Sequence, residues 1–424
     1  MDSYVLSGAT VVTPEKISAG TQIAVSDDRI ASSENGAGRQ VPLGEGFYVY
    51  PGLINAHDHM RGNYLPRIGP KNDNFYINWC PWDNDLKASG TYEERANITV
   101  EQMYYLSAYK SLFSGVTTVQ DHFDHKFNSP YAGKTPVRIL QEYCLAHEIS
   151  SFELKWGEGH KIEHDRALEK DWPFITHLEE GFDAETMDCL GILDREGCLD
   201  SHDLLIHCIG FSDDDIKKVK KTGASVCWCP ASNMLMFNVT AKIRKLLKAG
   251  VNVCLGTDST ASGSLNTLAE MKFARDIYRQ MYGEDIPAKT LVEMVTVNPA
   301  RALRLDRETG TIKPGMLADI AVFRAKRDDP CENLVNATME DLALLIVAGR
   351  PVYGDYESFG AAFEPELKAA EKESGAGPAG GRKYTDIVVG GRRMFVQGDP
   401  AKLYRDIRKA VGFEKKLDFL PFRM

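Results

Sequence analysis

The chemistry-bearing residues of this chain begin in Tyr50-Pro51-Gly52-Leu53-Ile54-Asn55-Ala56-His57-Asp58-His59. An apolar run ending in His-Asp-His predicts a buried strand that emerges at a rim. Alternate side chains of a strand share a face, so His57 and His59 point the same way. Two neutral imidazoles so placed suit a divalent metal such as zinc or iron. Three further apolar segments end in comparable residues. Phe174-Ile175-Thr176-His177 is followed by Leu178, Glu179 and Glu180, Leu204-Leu205-Ile206 ends in His207, and Val253-Cys254-Leu255-Gly256-Thr257 ends in Asp258. Each has an ordinary reading alone, such as a helix N-cap for Asp258 or a core histidine for His207. Together they suggest one metal-binding constellation with a carboxylate beside it.

Convergence requires a fold that lines up strand ends, and the sequence repeats a suitable unit. Thr99 and Gln102 have capping-box spacing, Met103, Leu106 and Leu112 supply an apolar helix face, Gly115 stops the helix, and the strand Val116 to Gln120 follows. Ser212 and Asp215 open a second such unit, with Gly223 before the strand Val226 to Cys229. Ala241 to Lys248, Gly250 and Val251 to Gly256 make a third. This alternation predicts a parallel sheet with helices outside, closed as a (β/α)8 TIM barrel whose strand C-termini share one face. Strands are expected to end near His59, Asp121, Leu140, Lys155, His177, His207, Cys229 and Asp258. The quarter between Asp121 and His177 is short for two βαβ steps, and Val137 to Leu140 and Ile149 to Lys155 are its predicted strands. The ring-rich stretch Asn74 to Trp82 reads as a long loop. Its Trp79 and Trp82, with His122 after the second strand, are candidate substrate contacts, and His125 reads either as a further contact to substrate or metal or as a solvated loop histidine.

β patterns bracket this region. They occupy Tyr4 to Val12 and Thr21 to Ile30 and, after the turn-rich Gly310 to Gly315, Asp319 to Phe323 and Leu342 to Val347. Leu344 to Asp355 is echoed by Asp386 to Asp399, and both read as hairpins with Gly-Arg at the turn. Glu373 to Gly381 reads as an exposed loop, and Ala401 to Val411 as a final helix. The expected organisation is a small β-sandwich built from residues 1–50 and 310–424, flanking a catalytic barrel at 51–309.

Composition narrows the partners. The formal net charge is −10 and no Lys or Arg run stands out, so nucleic acid and anionic membrane are not expected partners, and a small-molecule substrate is. No run of 18 apolar residues and no basic-flanked leader occurs, which reads as a soluble cytoplasmic protein, expected as a homo-oligomer. The nine cysteines are an odd number without framework spacing, so reduced thiols are expected, with Cys227 and Cys229 buried in a strand.

Pro51-Gly52-Leu53-Ile54-Asn55-Ala56-His57-x-His59, His177-x-x-Glu180, His207, Leu255-Gly256-Thr257-Asp258-Ser259 and Gly310-x-Ile312-x-Pro314-Gly315-x-x-Ala318-Asp319 resemble the amidohydrolase superfamily. The similarity is to its metal-dependent deaminases and triazine hydrolases. The resemblance implies one divalent metal, zinc or iron(II), held by His57, His59, His177 and Asp258 with a water beside them. It further implies that Glu180 carries the water proton, Asp258 helps move the second proton, and His207 orients the water or polarises the attacked carbon. Glu179 competes with Glu180 for the first role, and the family spacing selects Glu180. The expected activity is hydrolytic deamination of an aminated N-heterocycle. One alternative is a binuclear cyclic amide hydrolase that uses a carboxylated Lys155. Another is a non-catalytic scaffold, which would have no reason to keep a full ligand set.

Overall fold

Short runs, several of them preceded by a glycine, build eight parallel strands, most of them buried along their whole length. The computed structural model describes residues 3–32, 38–371 and 383–422. β1 (Tyr4–Val12), β2 (Ile17–Ser26), β3 (Arg29–Ile30), β4 (Arg39–Pro42) and β5 (Phe47–Pro51) come first. β6 (Leu53–Asp58), β7 (Val116–Asp121) and β8 (Arg138–Ile139) then form a three-stranded parallel sheet. β9 (Cys144–Leu145), β10 (Phe174–Leu178), β11 (Asp203–His207), β12 (Ser225–Trp228) and β13 (Asn252–Leu255) form a five-stranded one. β14 (Ile320–Arg324), β15 (Leu342–Val347), β16 (Arg350–Asp355), β17 (Tyr384–Val389) and β18 (Arg392–Gln397) complete the set. These last five join β1–β5 in a mainly antiparallel ten-stranded sheet, through the pairing of β14 with β5. The fold is therefore mixed α/β, with two parallel sheets and one sheet drawn from both ends of the described chain.

The end of β13 reaches the end of β6, where Asp258 N donates to His57 O at 3.1 Å. Gly256 makes that approach possible: a Cβ there would lie 2.6 Å from His57 Cβ and 2.7 Å from Cys227 Sγ. The helix Val100–Leu112 starts at the expected capping box, with Thr99 and Gln102 bonded reciprocally, and Gly115 follows at φ 81°. Ser212 and Asp215 form the second capping box. Both Gly-Arg hairpins are present, as β15–β16 and β17–β18. All nine cysteines are free thiols, and eight are buried. No described helix is long and apolar enough to cross a membrane.

Two expectations need correction. Trp79 and Trp82 stand on a helix, Trp79–Ala88, because Asn78 caps it by accepting from Cys80 N. Ile149 to Lys155 is not a strand; the fourth strand is the two-residue β9, only a few residues after β8. That economy is how two strands fit the short quarter. The Glu373 to Gly381 stretch lies outside the described residues.

Asp319, in the resemblance motif, ties the β8 edge to the ten-stranded sheet. Its fully buried carboxylate accepts from Arg138 at 2.6 and 3.2 Å, from Ala348 N at 2.8 Å and from Thr309 Oγ1 at 3.1 Å. Asp319→Ala leaves Ala348 N and Thr309 Oγ1 without this acceptor and Arg138 with Thr118 Oγ1 in place of its ion pair, and is expected to destabilise the fold by about 3 kcal/mol. Urea unfolding checks this, and a loss under about 1 kcal/mol would show that the tie carries little.

Candidate active site

His57 is the hub. Ligand-type atoms of His57, His177 and His207 lie within 4.8 Å of one another, and so do those of His57, His59 and Asp258. The structure thus brings together all five residues that the sequence placed at strand ends. Both ring nitrogens of His57 are buried without a hydrogen-bond partner. Burying such groups bare is costly, so an ion is the natural occupant between these rings. His177 Nδ1 lies 2.6 Å from His147 O and can only donate to a carbonyl, which leaves its Nε2 lone pair free. Asp258 Oδ2 accepts from Ser232 and Ser262 at 2.7 and 2.8 Å, and its Oδ1 lies 3.7 Å from His59 Nε2. Three imidazole nitrogens and one carboxylate fit a zinc-type divalent ion.

His207 behaves differently, and a chain of hydrogen bonds decides why. The Trp228 indole can only donate, and it does so to Thr240 Oγ1 at 2.7 Å. Thr240 must then spend its own proton on Asn233 Oδ1, 3.1 Å away. Asn233 therefore turns its amide nitrogen to His207 Nδ1, at 2.9 Å. With Nδ1 accepting, the proton of the neutral ring is on Nε2, which faces Glu180 Oε1 at 3.4 Å. Distance alone leaves His207 in reach of a metal; its tautomer makes it a hydrogen-bond donor instead.

Electrostatics sort the remaining groups. Burial first, then neighbouring imidazoles, pushes His57 and His177 well below the usual histidine range, and burial pushes His207 down to about 4. These rings are neutral near pH 7, the form that ligates or donates without charge. Burial would raise Asp258, but His59 and His207 hold it below the usual carboxylate range. Glu180 is pushed well up, by burial first and then by Asp258 and Glu148. The two glutamates separate at a backbone reversal, Glu179 having φ 49°. Glu180 enters the cluster, whereas Glu179 Oε1 accepts from Leu190 N at 3.4 Å at the start of the helix Cys189–Glu196.

Of the candidate substrate contacts, His122 lies 4.3 Å from His177 ring to ring, and its Nδ1 is buried and bare. Trp79 packs edge-on against His147 at 4.6 Å. Trp82 packs against the apolar cluster that holds Trp79, its indole donating to Ile68 O at 2.9 Å. His125 is half-buried rather than a solvated loop residue, with Nε2 3.0 Å from Tyr143 O. Lys155 is outside every strand and its side chain is 79% exposed, paired with Glu153. It cannot bridge two metals in the cluster, so the binuclear reading loses its key residue.

Sequence reasoning missed His147, Trp156 and Lys110. His147 and Trp156 pack at 4.6 Å beside His177, on either side of the Ile149 to Lys155 segment misread as a strand. The signal was a short apolar run, Tyr143 to Ala146, ending in His147-Glu148. Lys110 is almost wholly buried, with Nζ 2.8 Å from Asp58 Oδ2 and 3.0 Å from Thr257 Oγ1. It follows Met103 and Leu106 at i+7 and i+4, so a lysine on the apolar face was the visible clue. Asp58 also accepts from Asn63 at 2.8 Å and Asn55 at 3.1 Å.

Comparison with known proteins places the chain. The amidohydrolase family profile matches residues 166–352. A 5-methylthioadenosine/S-adenosylhomocysteine deaminase of Caldicellulosiruptor saccharolyticus is 31% identical over 426 residues, spanning 88% of this chain and 95% of that protein. The chain belongs to the amidohydrolase family. Solved structures share this amidohydrolase's fold. An adenosine deaminase from Xanthomonas campestris with bound zinc has TM-score 0.65 at 18% identity, over 82% of this chain and 92% of that one. An atrazine chlorohydrolase from Arthrobacter aurescens complexed with zinc has TM-score 0.67 at 20% identity, over 82% and 95%. The resemblance read from the motifs holds, and the scaffold reading falls: this is an enzyme, a hydrolase acting on C–N bonds.

Lys110→Met should strand the buried Asp58 charge and cost about 3–5 kcal/mol of stability, while adding Asp58→Asn should recover most of it. Additive losses in this double-mutant cycle would show that the two groups act separately. Lys155→Ala should keep full metal content and turnover, and a tenfold loss would restore the binuclear reading.

Proposed function

We propose that this amidohydrolase removes the 6-amino group of an adenine nucleoside by hydrolysis, releasing ammonia and leaving a 6-oxo purine. The observation that carries the reading is Glu180 beside the Nε2–H of His207, 3.4 Å apart, at the same rim as the ligand set. The names of the relatives, deaminases of 5-methylthioadenosine, S-adenosylhomocysteine and adenosine, support the purine. Zinc in the solved neighbours supports zinc here, one ion held by His57, His59, His177 and Asp258. When bound, such an ion acidifies water and polarises the bond under attack.

Glu180 takes a proton from the attacking water and gives it to the ring nitrogen next to the amine-bearing carbon. His207 Nε2–H stabilises the oxygen as it adds to that carbon. Asp258 then relays the proton of the new hydroxyl to the amine as the C–N bond breaks and ammonia leaves. Trp79, His122, His147 and Trp156 form a ring-lined wall on which a flat purine can stack. We further propose that the eight parallel strands close as a (β/α)8 barrel over residues 51–309. The bond between Asp258 and His57 supports that closure. Residues 1–50 and 310–424 would form the accompanying β-sandwich, which a separate apolar core around Leu6, Val49, Ile320 and Phe359 supports.

Ammonia release from adenosine, 5-methylthioadenosine and S-adenosylhomocysteine by zinc-loaded protein tests the activity. Turnover of at least one is expected, with kcat lowered about 10²–10⁴-fold in Glu180→Gln. No ammonia from any of the three would reject the adenine assignment. Asn233→Asp tests the tautomer: a carboxylate would draw the proton to Nδ1, so kcat should fall while KM and metal content hold. The ¹⁵N signals of His207 should report the exchange of proton between its nitrogens.

A further inference from the structure

A second set of ligand-type atoms lies at the opposite end of the strands from the active site. His164, on the helix His160–Lys170, faces Asp200 and Asp203 where the chain enters β11. The imidazole is completely buried, and neither ring nitrogen makes a hydrogen bond. Asp203 is equally buried, and its Oδ1 is likewise unpartnered.

The separations carry the inference. His164 Nε2 lies 3.4 Å from Asp200 Oδ2 and 3.6 Å from Asp203 Oδ1. Charge-assisted hydrogen bonds are ~2.7–2.9 Å long, so a protonated histidine gripped by two carboxylates would draw in closer. Ligands ~2.0 Å from a tetrahedral ion stand ~3.3 Å from each other, close to what is seen. The other carboxylate oxygens are already held. Asp200 Oδ1 accepts from His202 N at 2.7 Å, and Asp203 Oδ2 accepts from Asp200 N at 2.7 Å. Each residue thus turns its remaining oxygen to one point in front of His164. Asp200 is partly exposed, which gives an ion a way in and leaves room for a coordinating water.

We propose that His164 Nε2, Asp200 Oδ2 and Asp203 Oδ1 bind a second divalent cation of the zinc type, which fastens the helix His160–Lys170 to the start of β11. Asp203 and His207 begin and end the same strand, so this site stands about 13 Å from the catalytic rim. Its role is structural, since no substrate-facing residue touches it.

Elemental analysis of chelator-stripped full-length protein, dialysed against zinc and freed of excess, tests the site. About two ions per chain are expected in the wild type and about one in His164→Gln, with ammonia release within about twofold of wild type. The zinc-dependent rise in Tm should shrink in the same variant. Asp200→Asn gives the same readout at a partly exposed position, should His164→Gln fail to fold. His57→Ala should also hold about one ion, the second one. One ion per chain in the wild type, or two retained in both His164→Gln and Asp200→Asn, would overturn the proposal.

Discussion

The buried Lys110–Asp58 pair is the interaction on which the active-site rim depends. Strand alternation sends His57 and His59 toward the site, and it sends Asp58 the other way, into the helix Val100–Leu112. There Lys110 meets it at 2.8 Å, out of contact with water. Taking two charges out of water costs several kcal/mol for each, so the pair is not an efficient source of stability. Its hydrogen bonds to Asn55, Asn63 and Thr257 offset part of that cost and link the residue before Asp258 to the residue between the two histidines. The consequence is geometric. Two strands and a helix are locked together immediately behind the candidate ligands, which is the kind of support a metal centre needs to hold its shape.

Around that anchor, hydrogen bonds made outside the cluster assign a role to each imidazole within it. A backbone carbonyl fixes the proton of His177 on Nδ1 and frees Nε2 as a lone pair. The Trp228–Thr240–Asn233 chain does the reverse for His207 and makes Nε2 a donor. Two histidines at the same rim, with rings stacked 5.4 Å apart, therefore present opposite hydrogen-bonding character at Nε2. Burial keeps both neutral, whereas it pushes Glu180 up toward its protonated form. A proton carrier beside neutral nitrogens suits a reaction that moves protons twice without building net charge.

The sequence itself determined the strand-end residues, because an apolar run closed by His, Asp or Glu has few other readings when it recurs at several strands. It also determined the capped helices at Thr99 and Ser212, whose signals are local and span only four residues. Between Asp121 and His177 it placed β8, inside Val137 to Leu140, but missed the fourth strand, because β9 is two residues long and too short to show any periodicity. The cost was His147 and Trp156, which flank the segment wrongly expected to be the fourth strand. How Glu179 is turned out of the site that Glu180 enters, which nitrogen of His207 carries the proton, and whether Lys110 has a partner were decided only by tertiary structure. Each depends on groups far apart in the chain, on a backbone reversal at Glu179, and on distances of about 3 Å that no spacing in a sequence encodes.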